Sequence, residues 1–240
     1  MPPPEPQAHF ATTHWTVVLT AGGGDSTRAR EALASLCQTY WYPLYAYVRR
    51  RGYGAADAED LTQGFFTRLL ELDSLADVRR ERGKFRSFLL GSLNHYMTDE
   101  WRRASAAKRD IRRTIPLDPQ AAETRYGHEP EDPASPERLF ERQWALALLE
   151  IVVRRLREEY EAAGKGPLFM ALRFAITGDR SAVPYVELAG QLEINEPAVR
   201  VAVHRLRRRY RQVLRDEIAQ TVASPQGVED ELRSLMAALA

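Results

Sequence analysis

The stretch that decides the reading of this chain is Asn195–Arg215, NEPAVRVAVHRLRRRYRQVLR. From Arg200 onward it holds seven arginines and no acid, within a chain of 240 residues whose formal net charge is only +1. On a helical wheel at about 100° per residue, Val199, Ala202, Val203, Leu206, Tyr210 and Val213 gather on one side. Arg200, His204, Arg207, Arg208 and Arg211 gather on the other. Asn195 is a good N-cap, and Pro197 is tolerated in a first turn whose N–H groups are unpaired anyway. The apolar face continues into the preceding PYVELAGQLE through Val186, Leu188, Ala189 and Leu192, then Ile194, with Ile194–Asn195 as a two-residue turn. Two short helices, a tight turn and a basic outer face describe a helix-turn-helix. A solvated helix face usually mixes its charges, and here no acid offsets the arginines, so the run is expected to lie on nucleic acid.

A second basic cluster, Arg102–Arg113 (RRASAAKRDIRR), has six basic residues and one acid, formally +5. Between the two lies Pro116–Glu137, with five prolines, and six acids against one arginine that make it formally −5. Such a composition buries too little apolar surface to fold alone and is expected to be a linker. Two cationic clusters separated by an acidic linker suit bipartite binding to a long polyanion, with steep weakening by salt.

The rest of the chain reads as helix: about Thr27–Arg51, ended by Gly52; about Ala55–Leu72; from near Lys84 to about Arg109; then a long helix capped by Ser135 and ended by Gly164. Trp15–Thr20 is the one β-like stretch, and Asp25 or Ser26 can cap the first helix. Cys37 is a lone cysteine on helical spacing with Leu33, Leu36 and Tyr40, so it reads as core and excludes a disulfide framework. The five histidines share no ligand spacing, which argues against zinc. No leader pattern and no membrane-length apolar run occurs, so a cytoplasmic protein is expected. Tyr40, Trp41, Tyr42, Tyr45 and Tyr47 read as helix core rather than a base-stacking surface, with Pro43 expected to kink or break their helix.

Asp57–Glu71, DAEDLTQGFFTRLLE, behaves differently. Its buried stripe is expected to be Ala58, Leu61, Phe65 and Leu69, with Glu59, Asp60, Gln63 and Thr67 opposite. Phe66 and Leu70 fall beside Glu59 and Gln63, the composition of a protein–protein contact centre. Periodicity equally allows Phe66 to pack on another helix of its own domain.

Together these stretches resemble an extracytoplasmic-function (ECF) sigma factor. AEDLTQGFFTRLLE is similar to the family's polymerase-binding helix, with Ala58, Glu59, Asp60, Leu61, Gln63 and Phe66 in the pattern. FRSFLLGSLNHYMTDEWRR resembles the promoter-melting stretch, with Phe88 where Trp is usual and Asp99 and Arg102 in register. YVELAGQLEINEPAVRVAVHRLRRR resembles the C-terminal helix-turn-helix. The resemblance runs from about Glu31 to Arg215, and the N-terminal FATTHWTVVLTAGGGDS with TYWYPLYAYVRRRGY is similar to planctomycete-type members.

The resemblance implies an all-α fold of two small helical domains joined by the acidic, Pro-rich linker. The expected divisions are an N-terminal arm (1–29), a polymerase-binding and melting domain (30–113), the linker (114–137), a helix-turn-helix domain (138–215) and a C-terminal extension (216–240). Glu59, Asp60, Gln63, Phe66 and Leu70 would bind core RNA polymerase at its β′ clamp helices, with the β flap a second contact. Asn94, His95, Asp99, Arg102 and Arg103 would engage and open promoter DNA. Glu196, Arg200, His204, Arg207, Arg208 and Arg211 would contact the upstream element. The linker would thread the polymerase cleft. An anti-sigma factor or other regulator is a further partner, and no cofactor, metal or membrane is expected. His95 departs from the usual Asn, and Pro197–Ala198 from the usual recognition-helix start. Glu193 stands where a turn Gly is common, so a positive φ there would strain the backbone by about 1 kcal/mol. Val228, Leu232, Leu235, Met236 and Leu239 can form an apolar stripe that packs on the second domain or recruits a regulator.

A second reading is a stand-alone helix-turn-helix DNA-binding regulator. An enzyme is disfavoured: AGGGDS (Ala21–Ser26) lacks the Lys-Ser/Thr of a phosphate loop, and no nucleophile–base constellation is marked.

Overall fold

The computed structural model describes residues 26–71, 84–104, 119–127, 135–177, 183–222 and 224–240. The described residues form ten helices: α1 (Ser26–Arg50), α2 (Ala55–Glu71), α3 (Phe85–Ala104), α4 (Pro119–Gly127), α5 (Pro136–Ala162), α6 (Gly166–Leu172), α7 (Phe174–Thr177), α8 (Tyr185–Gln191), α9 (Glu196–Ala219) and α10 (Pro225–Leu239). The fold is all-α. The β-like stretch Trp15–Thr20 lies outside the described residues, as do Asp25 and most of the basic cluster after Arg103. The chain divides into two units, residues 1–147 with 218–240, and Leu148–Glu217.

The first unit is built on α1, whose Tyr40, Leu44, Tyr45, Tyr47 and Val48 are all buried. Tyr40 meets Phe85 of α3 edge-on at 5.1 Å, and Tyr47 meets Phe140 of α5 at 6.4 Å. Burying these aromatic bodies is the main stabilising term available to so small a unit. Helix α1 runs on through Pro43, so the expected break is not there. Pro43 is itself buried, and the helix continues despite its missing N–H. Gly52, at φ 93°, ends α1 in a left-handed conformation that costs glycine nothing.

Two expectations about this unit need correcting. Part of the proline-rich segment, Pro119–Gly127, is helical, with Ala122 buried. Composition alone measured what the segment could bury by itself, whereas α4 borrows a surface from α1. The C-terminal helix α10 groups with the first unit rather than the second. Its buried face holds Val228, Leu235 and the carboxylate of Glu231, which is wholly buried, while Met236 is 67% exposed. Glu231 receives Arg86 Nε at 2.8 Å, Arg86 Nη2 at 3.0 Å and Lys84 Nζ at 2.9 Å. Arg86 also pairs with Glu141 and lies 4.5 Å over the Trp144 ring. A buried carboxylate survives only when paired in this way. An isolated antiparallel bridge between Lys84 and Val222 fixes the segment entering α10 against the start of α3.

The buried side chains of the second unit come from α5 (Val152, Leu156), α6 (Phe169, Leu172), α8 (Leu188) and α9 (Val199, Val203, Leu206, Val213). Helix α5 starts at the Ser135 cap, whose Oγ accepts from Arg138 N at 3.3 Å. It ends at Gly164, φ 69°, where Lys165 N reaches back to Tyr160 O at 2.7 Å. Helix α8 stops at Gln191, two residues before the sequence suggests. There Ile194 N bonds Ala189 O at 3.0 Å and Glu193 N bonds Gly190 O at 3.3 Å, around Glu193 at φ 53°. That pattern closes the orphan carbonyls of a helix end, and it requires a left-handed residue.

Candidate nucleic-acid and partner interface

On α2 the buried face is Ala58, Thr62, Phe65, Phe66 and Leu69, with Leu61 only half-buried. Phe66 is fully buried, 5.4 Å from the Phe65 ring, and so cannot be a surface contact for polymerase. Thr62 shares this buried face. Its hydroxyl donates to Ala58 O at 2.6 Å, which satisfies it and lets a polar residue sit in the core beside Phe66. Asp60 is exposed, and Glu59 and Gln63 are half-buried and joined by Gln63 Nε2 to Glu59 Oε1 at 3.2 Å. They form a small polar patch. The Leu70 side chain lies outside the described residues.

On α3, one face carries Gly91, His95, Thr98 and Arg102, all exposed and spaced three or four apart. Asn94 stands apart from them: its Oδ1 accepts from the Tyr47 hydroxyl at 2.9 Å and from Arg51 Nη1 at 3.4 Å. Asp99 faces Arg68 at 3.8 Å. The feature missed in the sequence is Trp101, 71% exposed beside Arg102. Its signal was a tryptophan set among acids and arginines, TDEWRR, where the apolar periodicity of α3 does not need one. An exposed ring beside a guanidinium is a surface on which a base can stack. The Arg103 side chain, and the cluster beyond it, lie outside the described residues.

On α9, Asn195 Oδ1 caps Ala198 N at 2.9 Å. Arg200 is held by Glu196, Nη2 to Oε1 at 2.6 Å, and lies 5.7 Å over the Tyr185 ring. Arg207 donates to Ala175 O at 3.0 Å, tying α9 to α7. Arg209 pairs with Glu159 of α5 at 2.6 Å, and this guanidinium holds the Glu159 carboxyl below its ordinary value. The arginine run therefore has acids opposite it in space that the run itself lacks. His204, Arg208 and Arg211 remain exposed on one side of α9. Arg205 faces elsewhere, into a groove of about 640 Å³ with Tyr160, Leu168 and Val201.

Among the described residues no group of acidic, histidine or cysteine side chains is placed to hold a metal, and no helix is long and apolar enough to cross a membrane. The Cys37 thiol is buried, which pushes its pKa up and leaves it unreactive.

Residues 36–107 match the family model Sigma-70 region 2. The match spans most of α1 with α2 and α3, under a third of the chain. No curated protein and no solved structure matches the chain.

Proposed function

We propose that this protein is a sigma factor of the ECF type, which binds core RNA polymerase and directs promoter recognition and melting. The observation that carries the reading is the Sigma-70 region 2 match over the helices that present the Asp60 patch and the His95–Arg102 face. Glu59, Asp60 and Gln63 dock on polymerase, and Phe66 supports that patch from beneath. His95, Trp101 and Arg102 engage the opened strand, with Trp101 stacking on a base. In the second unit, α8 and α9 act as a helix-turn-helix. Arg200 and His204 read base edges and Arg207, Arg208 and Arg211 meet phosphates. To reach a base, Arg200 must exchange its pairing with Glu196 for DNA. Catalysis stays with the polymerase, and this chain supplies binding and positioning alone.

Run-off transcription with purified core polymerase over a genomic promoter library tests this. Promoter-specific transcripts that need the protein support it. DNA binding without core-polymerase association favours the stand-alone regulator, for which the exposed His204, Arg208 and Arg211 of α9 speak independently of the first unit.

A further inference from the structure

Helix α4 lies along the C-terminal half of α1 in a way that apolar packing does not account for, since Ala122 is the one buried apolar side chain among its described residues. Arg49 forks onto Glu123, Nε to Oε2 at 3.1 Å and Nη2 to Oε1 at 2.8 Å. The Tyr45 hydroxyl donates to the same carboxylate. Arg49 lies 4.8 Å over the ring of Tyr126, and Arg125 lies 4.1 Å over the ring of Tyr42. Each helix thus offers an arginine to a tyrosine of the other, around one shared carboxylate. Also on α1, the Tyr47 hydroxyl lies 2.9 Å from Asn94 Oδ1 and 3.3 Å from Glu137 Oε1, and its single proton serves one of them at a time. Acids of the segment after α3 therefore sit on the arginine-and-tyrosine end of α1.

The chemistry of that end is not specific to a carboxylate. A guanidinium fork accepts a phosphate with the same two parallel N–H bonds, and arginine and tyrosine faces are the groups on which bases stack. We propose that α4 stands in for a nucleic-acid backbone: Glu123 fills the Arg49 fork that a phosphate of a single strand takes once α4 leaves. Helix α4 thereby holds the first unit closed to nucleic acid in the free protein. This rests on reading the first unit as a nucleic-acid-binding unit, and it adds a regulated surface distinct from the His95–Arg102 face.

The test is equilibrium binding of a labelled 12-nucleotide DNA strand to the full chain at several sodium chloride concentrations. The variant Glu123→Gln with Tyr126→Ala should bind about tenfold tighter than the parent, with a salt slope steeper by about 0.7, the value of one additional phosphate on a single strand. Adding Arg49→Met to that variant should return both to the parent values. Unchanged affinity and slope, or a gain that survives Arg49→Met, overturns the proposal. If thermal melting shows that the double variant does not fold, Tyr126→Ala alone, at a half-exposed position, is judged by the same criteria. Association with core polymerase is measured beside it. A DNA gain without polymerase association removes the sigma reading and keeps the clasp, and polymerase association without a DNA gain does the reverse.

Discussion

Arg209 on α9 meets Glu159 on α5 through two charge-assisted hydrogen bonds, Nε to Oε2 at 2.8 Å and Nη2 to Oε1 at 2.6 Å. Its neighbour Arg208 makes no ion pair among the described residues. Two adjacent arginines of one run thus do different work. Arg209 fastens α9 to the scaffold, and Arg208 keeps its charge for a partner. The contrast gives a test within one tripeptide. Arg208→Ala should weaken binding to specific and unrelated duplexes alike and lower the salt slope by about one, whereas Arg209→Ala should change the slope far less. Both partners of the pair are partly exposed, so Arg209→Ala should cost about 0.5 kcal/mol of stability at neutral pH. Because Arg209 lowers the folded-state pKa of Glu159, that increment is present above the ordinary carboxylate range. It is lost as pH falls through the lowered value. Equal slopes for the two variants would sink this division of labour.

Phe66 and Asp60 separate fold from contact on α2. Phe66→Ala should destabilise the first unit by about 3–5 kcal/mol, the cost of emptying a buried aromatic site. Asp60→Ala should leave the thermal midpoint within error and weaken capture of core polymerase. A polymerase defect in Phe66→Ala that persists at temperatures where the variant is fully folded would return Phe66 to the contact surface.

Glu231 makes the C-terminal helix part of the first unit. Glu231→Ala leaves Arg86 buried with one carboxylate partner fewer, and the expected loss is about 3–5 kcal/mol in denaturant melts. Replacing both ions, Arg86→Met with Glu231→Met, should cost clearly less than Glu231→Ala alone, since the two buried charges leave together and only the partly exposed Lys84 and Glu141 lose a partner. If the single variant melts like the parent, α10 is an appendage and not a structural member.

Much of this was legible in the sequence and some was not, for separable reasons. The core side of α9 could be read because Val199, Val203, Leu206 and Val213 repeat at helical spacing and all end up buried. The Asn195 cap and the strained Glu193 could be read because both are local events of one turn. Periodicity left Phe66 open between a contact surface and the core, and its burial beside Phe65 and the satisfied Thr62 favours the core. Arg209 could not be resolved because its partner lies 50 residues away, and Glu231 because its cations, Lys84 and Arg86, come from the other end of the chain. Helix α4 was missed because average composition says nothing about a surface that another helix lends.

Glu193 offers a stabilising change. At φ 53° a glycine adopts the same backbone without a Cβ penalty, so Glu193→Gly should raise stability by up to about 1 kcal/mol, less the entropy glycine adds to the unfolded chain. DNA binding by α9 should be kept, because the turn geometry is kept. A lower melting midpoint would show that the Glu193 side chain contributes more than its backbone costs.

Trp101 carries the last prediction. It is 71% exposed on α3, whereas Trp41 and Trp144 are buried, so among the described residues it is the one indole open to solvent. Leaving a ring of that size in water serves neither the fold nor solubility, and Arg102, next in the chain, is also exposed. If a base stacks there, adding a single strand should quench indole emission, and Trp101→Phe should remove most of that quenching. Trp101→Ala should weaken single-strand affinity by about 1–3 kcal/mol, the range for losing one stacked base. Duplex binding through α9 should change little, because those contacts lie in the second unit. The thermal midpoint should also hold, since the side chain packs on almost nothing. Unaltered strand affinity in Trp101→Ala, with the protein folded, would leave the exposed indole without a nucleic-acid role and shift the task of engaging the strand to His95 and Arg102.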